Sequence, residues 1–425
     1  MNKIVLSGLV SMLAAIVFSS AAEACTSMII SSRVTADGRP LMLKHRDSSA
    51  KDVFVSRFHG SRYDFIGVAD AGAEPGQVWT GTNSAGFSIM NTASYNFKDD
   101  DVPSSMMDLE GFVMFMALGK CRTASDFENM LDTLPRPLGV EANFGVIDAD
   151  GSACYYEVNN DSWFKFDVND EAVSPSGYRI VTNFCTLGRR DDDMGVERYM
   201  TASDIMSGVL KAGKKISLSP QDIFTMLSRS YRNSFTGLDY VADYRKLVSR
   251  KTGTAVDQDF IPRYSTSCSV VFHGVRPGDN PSRTVMWTVL GYPACSAAMP
   301  LLVGNSDILP YFVKPSDDGR SAFCNAVLSL KRDFVFRWNV SNGRHYLDME
   351  NLVRGRAGRK PLLECASSAD MEIAGCFNNL YSGWSEGKID DGMFYNSYTG
   401  LSSTFLHLYL DNFKDYSVKM TKLAE

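Results

Sequence analysis

Polar and apolar positions along the chain change their period in a fixed order: strands first, then helices, strands again, and helices at the end. Cys25 to Ser32 is β-rich, Thr35 to Pro40 is a turn, and Pro40 to Lys44 opens a second strand, so a hairpin is predicted there. Phe54–Val68 and Val78–Asn91 continue the alternation, with Asn83-Ser84-Ala85-Gly86 as a turn. Met107–Gly119 reads as an apolar helix, and Ser125 with Glu128 as a capping box opening a second helix that stops before Pro135. Asn143 to Glu157 reads as strand, tight turn, strand. Ser219-Pro220 starts a helix. Ser265–His273 and Arg283–Gly291 are strands, and from Ser321 onward the pattern is helical. The simplest packing of this order is two sheets between helices, an α+β fold.

Residues 1–24 stand apart from this pattern. Lys3 is followed by a short apolar run, Ile4–Phe18, and then by small residues ending Ala22-Glu23-Ala24. This predicts a signal peptide, hence an exported protein, periplasmic or secreted, with Cys25 as the first mature residue. The apolar run is shorter than the ~20 residues of a membrane span. A lipoprotein leader also ends before a cysteine, so lipid anchoring at Cys25 is the rival reading, although Ala22 and Glu23 fit its motif poorly.

Charge narrows the partners. The chain carries 43 basic and 49 acidic residues, a net −6, which argues against binding a phosphate backbone. The short basic runs Lys211–Lys215 and Arg354–Lys360 read as solvated faces. None of the nine cysteines is paired at metal-ligand spacing, and no cofactor is predicted. Cys154, Cys185 and Cys268 lie in strand-like text as small buried apolar residues, while Cys365 and Cys376 bracket what reads as a polar loop and are the best disulfide candidates.

The chemistry begins at Cys25. An N-terminal cysteine brings its own base, because an α-amine with a pKa of ~7.7–8.0 is partly neutral at working pH and can take the thiol proton. An enzyme of this type needs no histidine. The chain has only five: His45, His59, His273, His345 and His407. His273 is the best base for a papain-like alternative, and a satisfied sheet residue is its plainer role.

Cys25-Thr26-Ser27, Lys44-His45-Arg46-Asp47 and the segment Gly81–Asn91 resemble the N-terminal-nucleophile (Ntn) amide hydrolases. That group includes choloylglycine hydrolases, penicillin V acylases, acyl-CoA:6-aminopenicillanate acyltransferases and secernin-like dipeptidases. The resemblance continues through Asp148–Gly151, Val181-Thr182-Asn183, Glu197-Arg198-Tyr199 and Gly291-Tyr292-Pro293. It implies a four-layer αββα sandwich of two antiparallel sheets over residues 25–320, with 321–425 as a helical extension, an add-on or packed on the same domain. It also implies roles. Cys25 would be nucleophile and, through its amine, base. Lys44 and Asp47 match a basic residue and an aspartate beside the nucleophile, the carboxylate holding the amine and the cation favouring thiolate. Asn91 matches an oxyanion-hole asparagine, Asn183 a second asparagine shaping the pocket, and Arg198 an arginine near the nucleophile.

These expectations compose a two-step acyl transfer on a small-molecule linear amide, by way of a Cys25 thioester. Bile salts, penicillin V, acyl-homoserine lactones and small peptides share the scissile bond, so the resemblance implies the bond and not the acyl group. A dipeptidase or acyltransferase on the same scaffold is one alternative, and a non-catalytic lipoprotein acylated at Cys25 is another. Relatives of this kind often form homo-oligomers.

Overall fold

The computed structural model describes residues 24–97, 102–209 and 215–418. The expected leader, apart from Ala24, and most of the Lys211–Lys215 run lie outside the described residues. Two antiparallel sheets form the centre. One is a meander of seven strands in chain order: β3 (Val53–His59), β4 (Asp64–Asp70), β5 (Thr80–Asn83), β6 (Ser88–Ala93), β7 (Ala142–Ile147), β8 (Ala153–Val158) and β9 (Trp163–Asp167). The other has six strands. Its centre is the expected hairpin, β1 (Cys25–Ile30) with β2 (Leu41–Asp47). β10 (Tyr178–Val181) flanks β1, while Thr266–His273, Val285–Leu290 and Met299–Leu301 continue beyond β2.

Every residue of β1 and of β2 is buried. That requires cover on both faces of the sheet. One face meets the seven-stranded sheet, where the Tyr155 hydroxyl on β8 donates to Ser27 Oγ on β1 at 3.0 Å. Gly145 on β7 permits the approach, because a Cβ there would stand 2.2 Å from Met90 Cε and 3.3 Å from Ile29 Cδ1. On the outer face of the seven-stranded sheet lie α1 (Glu110–Lys120) and α2 (Ala124–Thr133), whose Met114, Leu118, Phe127 and Leu131 share a core with Phe65, Phe87 and Phe144. The outer face of the six-stranded sheet is covered by α3 (Val196–Val209) and the C-terminal helices. The order is helices, sheet, sheet, helices: the expected αββα sandwich.

The helices Ala322–Leu330, Leu362–Ser385 and Asp391–Asn412 belong to the same core as the six-stranded sheet. Phe377 packs edge-on against Trp287 at 5.4 Å. The Tyr398 and Tyr409 hydroxyls donate to the carbonyls of Pro300 and Cys295 at 2.6 and 2.9 Å. Arg229 is fully buried against Asp370 on the Leu362–Ser385 helix, with Nη1 to Oδ2 at 2.6 Å, and its Nε donates to the Pro293 carbonyl at 2.9 Å. Asp370 Oδ1 also accepts the Ala298 N–H at 2.7 Å.

Three expectations need correction. The second helix is capped two residues earlier than Ser125. Thr123 Oγ1 accepts the Asp126 N–H at 3.2 Å and Asp126 Oδ2 accepts the Thr123 N–H at 3.1 Å, so Ser125 falls inside the first turn. The C-terminal part is not purely helical, since Tyr346–Asp348 pairs with Thr254–Val256 in a two-stranded ribbon. Cys365 and Cys376 lie on one straight helix and not around a loop. At ~1.5 Å per residue they are about 16 Å apart along its axis, too far for a disulfide, which needs Cα atoms within ~7 Å. All nine cysteines are free.

Two outcomes follow. Mass spectrometry of unreduced, unfolded protein should count every cysteine of the mature chain as alkylated. Asp370→Ala, which leaves a buried guanidinium unpaired, should lower unfolding free energy by about 3–5 kcal/mol in urea titration.

Candidate active site

The six residues singled out in the sequence come together at one end of the sandwich, and all six are buried. β1 sets the register. Cys25 pairs with Arg46 and Ser27 with Lys44, so the Cys25 side chain shares a face with Ser27, Lys44 and Arg46, the face turned to the seven-stranded sheet. His45 and Asp47 belong to the opposite face. On the other side of β1, Ser27 pairs with Val181, which brings Asn183, just past the end of β10, level with Cys25.

The main chain of Cys25 is gripped from two elements. Its N–H donates to Asn183 Oδ1 at 2.7 Å. Its carbonyl accepts a close hydrogen bond from Arg198 Nη1, which also reaches Thr26 Oγ1 at 3.2 Å. Arg198 Nη2 donates to the same Asn183 Oδ1 at 3.0 Å, and Asn183 Nδ2 donates to the Ala93 carbonyl on β6 at 2.8 Å. Arg198 lies in the first turn of α3, directly after Gly195. Gly195 has a φ of +77°, and a Cβ there would stand 2.1 Å from Arg198 Nη2, so only glycine leaves room for the guanidinium. Burial and the like charge of Arg263 bring the Arg198 pKa down to about 10, against the opposite pull of Asp47, Asp259 and Cys25.

Lys44 crosses to the other sheet. Its ammonium donates to Asn91 Oδ1 at 2.7 Å and makes a close contact with the Asn91 carbonyl. This orients the Asn91 amide with its oxygen on Lys44.

Asp47 works differently from expectation. Its backbone N–H donates to the Ala24 carbonyl at 2.8 Å. Its carboxylate lies on the face away from the Cys25 side chain, where Oδ1 accepts from Thr266 Oγ1 at 2.7 Å and Oδ2 lies 3.0 Å from Arg263 Nε. His45 Nε2 is 3.5 Å from Oδ1. Burial pushes this carboxyl up, but the Arg263 charge, then His45 by hydrogen bond and charge, then Arg198, hold it below its ordinary value of 3.8. The amide hydrogen of Cys25 is therefore met by Asn183, while Asp47 anchors the strand end and a second layer of groups.

That second layer escaped sequence reading. Arg263 bridges Asp47 and Asp259, the latter at 2.5 Å. A bulge between Thr266 and Cys268 shifts the register against β2, so that Thr266 faces Asp47. Arg46 forms a two-pronged pair with Asp70 on β4, at 2.6 and 3.0 Å, beneath the Trp79 ring. Arg-Tyr-Ser ahead of a strand carries no spacing signal, so Arg263 could not have been singled out. His273 pairs with Leu41 at the far end of β2 and bonds Asp37 through Nε2 at 2.8 Å, as a sheet histidine would. It is not a base for Cys25, and His45 is held by Ser269 Oγ through Nδ1 at 2.6 Å.

No family model and no curated protein matches the chain. Among solved structures it is similar to a Caenorhabditis elegans ortholog of N-acylethanolamine-hydrolyzing acid amidase, at 15% identity and a TM-score of 0.39, covering 60% of this chain and 93% of that one. It is similar also to a variant of the conjugated bile acid hydrolase of Clostridium perfringens, at 12% identity and a TM-score of 0.37, covering 63% and 89%. A third is penicillin V acylase from Agrobacterium tumefaciens, at 12% identity and a TM-score of 0.35, covering 65% and 86%.

The Asp47 contacts yield a pH signature. Its folded carboxyl titrates below its unfolded value, so it stabilises the fold above that unfolded value, and the contribution is lost as pH falls through the folded one. Asp47→Asn should cost about 3 kcal/mol near neutral pH. The gap to wild type in denaturant titrations should close progressively once the pH drops below about 4.

Proposed function

We propose that the chain is an exported cysteine Ntn hydrolase that cleaves linear amide C–N bonds, of the choloylglycine hydrolase and penicillin acylase kind, once the Ala24–Cys25 bond has been cut. The observation that carries this reading is the grip on the Cys25 main chain. Side chains from two separate elements, Asn183 and Arg198, converge on its nitrogen and carbonyl in a buried site where no histidine is free to act as base. A residue whose backbone is held this tightly has its future α-amine aimed beside its own thiol.

In this mechanism the neutral α-amine takes the Cys25 thiol proton, directly or through one water. The sulfur attacks the amide carbonyl, forming the S–C bond and pushing the carbonyl electrons onto oxygen. With Asn91 Oδ1 committed to Lys44, the Nδ2 protons of Asn91 are the group left to meet that oxyanion. Lys44 also places a positive charge on the face that carries the sulfur, which favours thiolate. The C–N bond then breaks and the ammonium proton passes to the leaving nitrogen. Water attacks the thioester, gives up a proton to the amine, and releases the acid as the sulfur recovers its proton.

The lipoprotein reading would place a diacylglyceryl group on a sulfur that is 3% exposed, on the strand face turned to the second sheet. Dipeptidase and acyltransferase activities use the same machinery and differ in the pocket and the acceptor.

Protein expressed with its own leader should begin at an unmodified Cys25 and alkylate there rapidly with iodoacetamide. A different first residue, or a lipid mass on Cys25, would overturn the reading. Cys25→Ala should abolish hydrolysis across a screen of N-acyl amides, by at least ~10⁴-fold where a substrate is found. Asn91→Ala should lower kcat by about 10²–10³-fold with a smaller change in KM.

A further inference from the structure

The most unusual charge outside this machinery is Lys331. It begins the helical turn Lys331–Val335 that extends the Ala322–Leu330 helix, and it is 3% exposed. Among the described residues no carboxylate lies within ion-pair distance of it. Its Nζ donates to the carbonyls of Tyr264 and Thr266, at 2.5 and 3.2 Å. The rings of Tyr264, Tyr292 and Phe336 surround it, with centroids 5.1, 5.2 and 5.8 Å away. Burying an ammonium without a counter-ion costs several kcal/mol, and ring faces and carbonyls offset only part of this.

The two carbonyls that Lys331 holds belong to the turn that serves Asp47. In that turn the Thr266 N–H donates to the Arg263 carbonyl at 3.0 Å and the Arg263 N–H to Thr266 Oγ1 at 2.9 Å. From it, Thr266 Oγ1 and Arg263 Nε reach the two oxygens of Asp47. Asp47 in turn fixes the end of β2 against Ala24. The contacts run unbroken from the C-terminal part of the chain to the peptide unit before Cys25.

We propose that Lys331 is a positioning residue for the Cys25 site: by binding the Tyr264 and Thr266 carbonyls it locks the turn from which Arg263 and Thr266 hold Asp47, so the C-terminal part completes the active site. This rests on the reading of Cys25 as nucleophile. The hold depends on charge, and burial, with the like charge of Lys51, brings the Lys331 pKa down to about 7. The titratable groups acting on its ammonium are Lys51, whose Nζ lies 4.5 Å over the same Tyr264 ring, then Cys295, Asp47 and Cys324. Its folded pKa is lowered, so the charged form that grips the turn is the one lost as pH rises through about 7.

The test uses the full mature chain and the rate of iodoacetamide alkylation at Cys25, mapped by mass spectrometry, which needs no known substrate. Lys331→Met should slow Cys25 alkylation by about tenfold, because displacing a catalytic group by ~1 Å can cost ~100-fold in rate. The effect should vanish in an Asp47→Asn background. Lys331→Arg keeps the donors and the charge at every pH, so the ratio of wild-type to K331R rates should be near one below pH 7 and fall above it. A K331M rate equal to wild type, an effect of unchanged size in D47N, or a pH-independent ratio to K331R would each overturn the assignment. If K331M does not fold, the K331R ratio decides. Wild-type Cys25 that is no more reactive than an ordinary buried thiol would overturn the nucleophile reading instead, and a reactive Cys25 indifferent to position 331 would overturn this proposal alone.

Discussion

Four consecutive ionisable residues, Lys44-His45-Arg46-Asp47, lie fully buried in a central strand, and the architecture around Cys25 answers that constraint. A buried charge without a partner costs several kcal/mol, so each side chain must find complementary groups nearby. The strand period sends them alternately to opposite faces. Lys44 and Arg46 enter the seven-stranded sheet, at Asn91 and Asp70. His45 and Asp47 turn the other way, to Ser269, Thr266 and Arg263. One strand thereby ties both faces of its sheet to the end where Cys25 sits.

The division of labour between the faces matters for the proposed chemistry. The face with the sulfur carries Lys44 and, across the interface, Asn91: a cation and an amide donor, the groups needed where negative charge develops. The Asp47 face supplies no acid or base to the sulfur. Its carboxylate accepts from Thr266 and lies against the Arg263 guanidinium, whose charge, with His45 and Arg198, holds its pKa below the ordinary value. In the proposed mechanism proton transfer falls to the nitrogen of Cys25 itself, whose main chain Asn183 and Arg198 hold.

The C-terminal part is bound into this arrangement and is not an appendage. It shares the core of the six-stranded sheet, closes a buried Arg229–Asp370 pair, and reaches the Arg263–Thr266 turn through Lys331. A chain of this length could bury an adequate core with fewer residues. The added helices cover the outer face of the sheet that carries Cys25, and β1 and β2 are buried throughout.

Much of this was legible along the chain because it is local. Alternation marked the β1–β2 hairpin, the Asn83–Gly86 turn and the paired strands β7 and β8, since a period of two follows directly from the strand backbone. The position of Cys25 behind an expected leader, with Lys44, Asp47, Asn91, Asn183 and Arg198 in family-like order, marked the candidate site. Local text misled where two patterns competed. Ser125 and Glu128 have capping spacing, but Thr123 and Asp126 have it too and made both bonds. The polar residues between Cys365 and Cys376 resembled a loop, yet they lie on a long helix, and one of them, Asp370, is on its buried side. Only the tertiary structure decided what Asp47 touches, which face the Cys25 sulfur shares, and that Arg263 and Lys331 take part at all. The Asp47 contacts join residues more than two hundred positions apart and depend on a one-residue bulge beside Thr266. No periodicity in the sequence encodes such a register, because it is set by how the packed strands and helices settle against one another.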